Sequence, residues 1–452
     1  MTHAWSRDSV LGLAPDARSL KLAQGLAKAE KWSLLAHDDE ALWGEIRDYK
    51  TEIDFDGPGF KCSCPSFKFP CKHALALFLV FAEYPEAVAE GKQPEWVSEW
   101  IASRRDRAKK KAAKQAARKS GKKKAVKDVK AQARRVAARE KRVASGLDEL
   151  STWMEDLVRQ GLGQLPQASY SYWDTVAKRM VDAQASGLER HLRELEALVG
   201  TGDDWTEPFL HALGRLHLLV RSGRQLEGLS PELQERLRIE LGWNLSKDEL
   251  LSRDGVKDEW RVMGQVETID RVRTQRTWLA GRESGRTACV LQHAPLGAGY
   301  PTMLLAGTQV RAELSFPPGP LPIRAIVKDK DARAEPVVAF DGPDDLREAL
   351  AERARGLARD PWLDRWAMTV TNVQLHLGGE EPSFRWSIQD AKGARLPIVD
   401  GWHGGWKLLA LTGGAPCSLF SEFGDASCLP LSCVVDGRFH SLTLPAQAGE
   451  AA

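Results

Sequence analysis

Apolar positions along this chain change their period several times, and each change marks a new element. Behind a Pro15-Asp16 start signal, Leu20, Ala23, Leu26 and Ala27 recur at helical spacing, which predicts a helix between Asp16 and Trp32. From 49 to 56 the period drops to two. Tyr49, Thr51, Ile53 and Phe55 alternate with Lys50, Glu52, Asp54 and Asp56, the pattern of a half-buried strand. Gly57-Pro58-Gly59 reads as a turn, with Phe60 to Cys64 returning as a second strand. Ala74 to Ala82 is an unbroken apolar run of nine residues, too short to cross a bilayer and suited to a buried helix. Pro94-Glu95-Trp96 opens another helix that runs into charged text.

Beyond Gly146 the period returns to helical. Leu147, Leu150, Met154, Leu157 and Val158 form one stripe; Val176, Met180, Leu188, Leu192, Leu195 and Val199 form a second. Ser230-Pro231-Glu232 is a capped helix start with proline at the first position. Near Val256 the text becomes strand-like, in runs such as RTACVLQHA, TMLLAGTQVRAELSF, WAMTVTNVQLHL and KLLALTGG separated by Gly, Pro and Asp. One helix, DDLREALAERARGLARD, interrupts them. These shifts divide the 452 residues into 1–103, 104–146, 147–252 and 253–452, an α+β multidomain chain with a helical third region and a β-rich end.

The most specific chemistry lies at the expected hairpin. Cys62-x-Cys64 is followed after six residues by Cys71-x-His73. Three thiols and an imidazole form a closed Cys₃His set for tetrahedral Zn²⁺, with no position left for a catalytic water. Buried free cysteines and a disulfide are the competing readings. The first rarely brings a histidine to ligand spacing, and the chain starts with no charged-then-apolar leader that would suggest an oxidising compartment. Cys417, Cys428 and Cys433 with His440 are a conceivable second site, weighed against core cysteines in apolar strands; Cys289 has no partner pattern.

The motif Cys62-x-Cys64…Cys71-x-His73, with its flanking hairpin and apolar helix, resembles the SWIM-type zinc finger, and the stretch from about Leu20 to Val88 resembles bacterial members of that family. The resemblance implies a ββα zinc module with those four residues as ligands. It further implies a role in nucleic-acid or protein binding, and, among bacterial proteins of this kind, association with MoxR-type AAA ATPases or von Willebrand A-type proteins.

Charge changes the picture once more. The net charge is only +2, yet 104–142 holds nineteen Lys and Arg against three acids, a surplus of sixteen that leaves the remainder at fourteen negative. This Ala/Lys/Arg segment has helix-forming residues whose like charges repel. It reads as a linker, disordered or helical, that gains order against an anion. Non-specific contact with nucleic-acid phosphates is the expected function, through Lys109, Lys110, Lys111, Lys122, Lys123, Lys124, Arg134 and Arg135. A solvated spacer and an intramolecular latch are the alternatives. No phosphate-binding loop, GxSxG elbow, HExxH helix or GxGxxG turn occurs, so no catalysis is expected. The sequence also predicts no membrane span and a cytoplasmic location.

Overall fold

From Thr51 onward neither face of the strand that begins at Tyr49 is open to solvent. The computed structural model of the protein describes residues 5–443 apart from 16, 56–57, 67, 108–128, 203, 244, 270–271, 296–297, 380–384 and 425. Asp16 of the first helix start, and Asp56 and Gly57 at the expected turn, thus lie outside the described residues. The N-terminal region forms a sheet ordered β4-β3-β2-β1-β5, from β1 (Leu34–His37), β2 (Ala41–Ile46), β3 (Tyr49–Asp54), β4 (Gly59–Cys62) and β5 (Ala89–Glu90). Helix α3 (Lys72–Glu83) lies on this sheet, and α1 (Arg7–Leu11) and α2 (Ala17–Leu26) pack on α3 in turn. With neighbours on both sides, α3 is apolar all round, and every residue from His73 to Phe81 is buried.

A fourth helix, α4 (95–107), supplies a second small core in which Val97, Trp100 and Ile101 join Ala36, Ala41 and Trp43. The expectation of a half-buried strand is corrected by this packing. Glu52 and Asp54, read as its solvent side, are only 2% and 5% exposed. Lys61 reaches Glu52 at 2.6 Å and Arg104 reaches Asp54 at 2.7 Å, so the alternating acids meet covering cations, not water.

The middle of the chain is helical, as expected: α5 (Val129–Gln160), α6 (Tyr170–Asp182), α7 (Ser186–Leu198), α8 (Thr206–Arg224), α9 (Pro231–Leu241) and the short α10 (Lys247–Ser252). Both predicted stripes enter one core, with Leu147, Leu150, Met154 and Leu157 of α5 in the same cluster as Met180, Leu188, Leu192 and Leu195. Val158 does not join them and is 60% exposed. The buried positions of α5 alternate by four and three residues, and Val158 sits about 100° beyond Leu157 around the helix. Ser230 caps α9 by accepting from Leu233 N, and Gly242 closes it at φ 109°. At Gly187 the start of α7 runs so close to the end of α9 that a Cβ would stand 1.7 Å from the Glu240 carbonyl oxygen.

The β-rich end resolves into two units. Strands β6 (Val256–Ile269), β7 (Arg273–Gly281), β8 (Thr287–Ala294), β9 (Thr308–Ser315) and β10 (Arg324–Pro336) close a barrel ordered β10-β8-β7-β6-β9. Long β6 pairs with β9 along its first half and with β7 along its second, and β8 pairs parallel with β10. This order, with its single parallel pair, is the topology of an OB-fold barrel. A six-stranded sheet follows, ordered β13-β12-β11-β14-β15-β16: β11 (Trp366–Gly378), β12 (Arg385–Gln389), β13 (Arg395–Pro397), β14 (Cys417–Phe423), β15 (Cys428–Val435) and β16 (Arg438–Ser441).

Helix α11 (Leu346–Arg359) is the predicted one, but KLLALTGG, expected as a strand, is helix α12 (Gly405–Thr412), ended by Gly413 at φ 60°. A short apolar run carries no period that separates the two states, and here the glycine cap decides. Residues 302–307 likewise precede β9 as loop.

Helix α1 joins the first region to the last. Ser9 Oγ donates to Ala306 O at 2.7 Å, while Asp8 lies 3.3 Å from both Lys407 Nζ and His440 Nδ1. On its other flank Arg7 pairs with Glu83 of α3 at 2.7 Å.

Candidate metal centre

Four side chains converge where β4 hands over to α3. The hairpin pairs Thr51 with Cys62, so Cys62 ends β4 beside β3, and Cys64 follows it on the way out. Cys71 is the N-cap residue of α3, with extended backbone at φ −74°, ψ 166°, and His73 sits in the first turn. The ligand atoms of Cys62, Cys64, Cys71 and His73 all lie within 4.8 Å of one another, and Cys62 Sγ is 3.8 Å from His73 Nδ1. A tetrahedron with Zn–S of about 2.3 Å has edges of about 3.8 Å, so the donors stand at coordination spacing before any ion draws them in. Cys71 and His73 are buried, whereas Cys62 and Cys64 are half-buried, giving a shielded but reachable site.

The electrostatics of the donor set call for a cation. A hydrogen bond from the Cys71 thiol, with further ones from His73 and Thr51, holds Cys62 far below the usual thiol range, while the same bond and burial push Cys71 well above it. Burial raises Cys64 as well. The bare cluster therefore favours one thiolate, and three thiolates become compatible only when a divalent ion sits among them. The helix N-terminus at Cys71 adds partial positive charge in the same direction.

Two supporting residues escaped the sequence reading. Thr51 donates its hydroxyl to Cys62 Sγ at 3.2 Å, and Tyr49 stacks on His73 with centroids 4.9 Å apart at 26°. Such outer contacts fix ligand orientation. The register of a hairpin centred on 56–57 was the available signal, since it sets Thr51 against Cys62. Lys61 is not directed to the thiolates: it pairs with Glu52 and lies 5.8 Å from the Trp100 ring centroid.

The other predicted residues are elsewhere. Lys109, Lys110, Lys111, Lys122, Lys123 and Lys124 lie outside the described residues. Arg134 and Arg135 are exposed on α5. The ends of the basic segment are engaged in folding contacts. Arg104 and Arg105 pair with Asp54 and Glu40, Arg139 lies 4.4 Å over the Trp243 ring and donates to Gly242 O, and Arg142 donates to Gln184. Among the described residues Cys62, Cys64, Cys71 and His73 are the one group able to hold a metal. Cys428 and Cys433 are fully buried core thiols, each pushed up to about 12 by burial.

A closed Cys₃His set at a hairpin–helix junction defines a structural zinc finger, and its donors fit Zn²⁺. Two family models match the chain: the SWIM zinc finger over residues 61–81 and the SWIM-associated four-helix bundle domain over 138–241. The chain thus carries a SWIM zinc finger and, within α5 to α9, the SWIM-associated four-helix bundle domain. No curated protein and no solved structure matches it. No helix among the described residues is long and apolar enough to cross a membrane.

Proposed function

We propose that this is a non-catalytic, nucleic-acid-associated protein whose zinc module folds the N-terminal region and whose polybasic segment grips phosphates. The observation that carries the reading is the surplus of sixteen positive charges within 104–142, opposed by fourteen negative charges on the rest. That segment leaves the finger at α4 and enters the bundle at α5, with arginines anchoring it at both ends. Lysines and arginines between the anchors would neutralise phosphates and release counterions, so binding is electrostatic and blind to base identity.

The test is duplex DNA and RNA binding across a salt series. With about 6–10 phosphate contacts, affinity falls by about 10³–10⁵ between 50 and 200 mM salt. Replacing Lys109, Lys110, Lys111, Lys122, Lys123 and Lys124 with Gln removes most duplex binding and leaves zinc content unchanged. Duplex binding equal to that of the unaltered chain rejects the segment's role, and tighter binding identifies it as a latch.

A second reading, a protein-interaction adaptor, is favoured by one feature. Trp406 is 64% exposed and meets Trp386 edge-on at 5.3 Å, an aromatic pair of the kind that anchors partners. In that role the partner would be a MoxR-type AAA ATPase or a von Willebrand A-type protein. Pull-down of such a protein by the intact chain and its loss in Trp406→Ala would favour this reading over the first.

A further inference from the structure

Bundle and barrel do not close fully on each other. Between them lies a cleft of about 500 Å³, bounded on one side by the outer face of β7 and β8 and by the β9–β10 connection, and on the other by the ends of α7 and α9 and residues 360–365. We propose that this cleft binds a nucleotide, either free or as one unit of a single strand. The proposal deepens the nucleic-acid reading but stands on different residues from the polybasic segment, so each can fail without the other.

Position is the first argument. In an OB-fold barrel, ligands lie on the face of the second and third strands and against the loop between the fourth and fifth. Those elements are β7, β8 and residues 316–323 in this chain, and they make the barrel wall of the cleft. Fold alone carries no function, so the wall itself must supply the chemistry.

Charge is the second argument. The cleft is lined by Arg276 and Arg324 from the barrel and by Arg365 from the facing 360–365 segment. A buried carboxylate answers two of them: Glu422 Oε1 receives Arg276 Nη2 at 3.0 Å and Arg365 Nη1 at 2.6 Å. The Arg324 side chain is exposed and makes no hydrogen bond or ion pair among the described residues. Asp364 also lines the cleft but pairs with Arg215 at 3.1 Å, so the three arginines against Glu422 leave a local surplus of two positive charges, which suits a phosphate. Each guanidinium carries five donor N–H groups, so Arg365, with half its side chain exposed, keeps donors beyond those given to Glu422.

The bundle wall is different in kind. There Arg236 bridges Glu240 at 2.5 Å and Asp360 at 2.6 Å, and Arg190 reaches the same Glu240 at 2.8 Å. These charges are matched, which leaves Arg276, Arg324 and Arg365 to attract an anion.

Shape is the third argument. Pro317, Pro318 and Pro322 stiffen the lip, and Leu291, Leu321 and Ile323 add an apolar surface on which a base can rest. Trp362, 4% exposed, also lines the cleft, and its indole N–H meets no acceptor among the described residues. The volume falls within the range of small-ligand sites, about 300–1,000 Å³. A cleft with a surplus of arginine charge and an apolar lip is the kind of place a nucleotide occupies with its phosphate against the arginines.

The experiment uses the full chain with Lys109, Lys110, Lys111, Lys122, Lys123 and Lys124 replaced by Gln, which removes most of that segment's binding. Fluorescein-labelled dT10 is titrated at low salt, with AMP as competitor. Saturable dT10 binding that weakens at least tenfold in Arg324→Glu and recovers in Arg324→Lys supports the cleft, provided circular dichroism and zinc content are unchanged. If AMP displaces dT10 the ligand is a free nucleotide; if it does not, it is a strand. Absence of binding by both probes, or dT10 binding indifferent to Arg324→Glu, overturns the proposal and leaves the segment's role untouched.

Discussion

Asp54, at the end of β3, is held by Arg104 of α4 through a 2.7 Å ion pair, and the same guanidinium lies 5.3 Å from the ring centroid of Trp100. Fifty residues separate the partners in sequence, yet their contact closes α4 over the finger sheet. The first arginine of the basic segment is therefore part of the finger's packing.

Arg104→Ala should destabilise the N-terminal region by about 1–3 kcal/mol, since a charge-assisted bond and a cation–π contact go together. Gly59 supplies the control. A Cβ there would stand 2.1 Å from the Arg104 guanidinium, so Gly59→Ala should displace that group and produce much of the same loss. Urea unfolding of the double variant should show less than the sum of the single effects. Additive losses would mean that Gly59 and Arg104 act independently.

Cys71→Ser should release the metal and unfold the region around residues 49–85. Structural zinc contributes on the order of 10–16 kcal/mol of binding free energy in small fingers, more than this sheet could replace. Metal analysis of chelator-free protein should give one zinc per intact chain and well under one for the variant. The barrel and the six-stranded sheet, with their own cores, should keep their melting transition.

Gly187→Ala should loosen the bundle. The added methyl would meet backbone at the end of α9, which cannot swing aside as a side chain can. A cost of about 1–3 kcal/mol is expected. Thermal melting of the helical signal should fall by several degrees, while zinc content stays at one per chain. An unchanged melting temperature would show that α7 and α9 are not held at this contact.

His191 sets a pH window for the same region. Burial opposes its protonation, but hydrogen bonds to Glu194 and Glu240 prevail and hold its pKa up at about 9. A raised histidine contributes stability that is full below its unfolded value near 6.5 and is lost as pH rises through 9. The loss should total about 3 kcal/mol, and His191→Gln should flatten it. Glu240 works in the opposite direction. Burial would raise it, yet bonds from His191 and the charges of Arg236 and Arg190 hold it down at about 2. Its contribution is present above pH 4.5 and fades as acid approaches 2. Chemical denaturation at pH 3, 6 and 10 should find the middle value most stable.

The zinc ligands were readable because all four fall within twelve residues and their spacing is itself the chemistry. The stripes of α5 to α9 were readable for a related reason, as a helix shows its buried face locally. Strand environment was not. Glu52 and Asp54 mark a solvated face unless a cation-bearing helix lies over them, and nothing near residue 52 announces that Lys61 and Arg104 will be there. Barrel closure was equally hidden, because β9 returns to β6 and β10 to β8 through pairings that no local period records. The arginines of the cleft were hidden in the same way: Arg276 and Arg365, far apart in sequence, meet at Glu422, and Arg324 lines the same cleft.

Helix α1 binds the front of the chain to its back, through Ser9 on Ala306 and Asp8 on Lys407 and His440. One consequence concerns covalent continuity. A protease that cut within 108–128 would sever the backbone without parting the halves, because this seam lies on the far side of the break. Residues 1–107 and 129–452, produced as two polypeptides, should accordingly reassociate into one particle with its zinc in place.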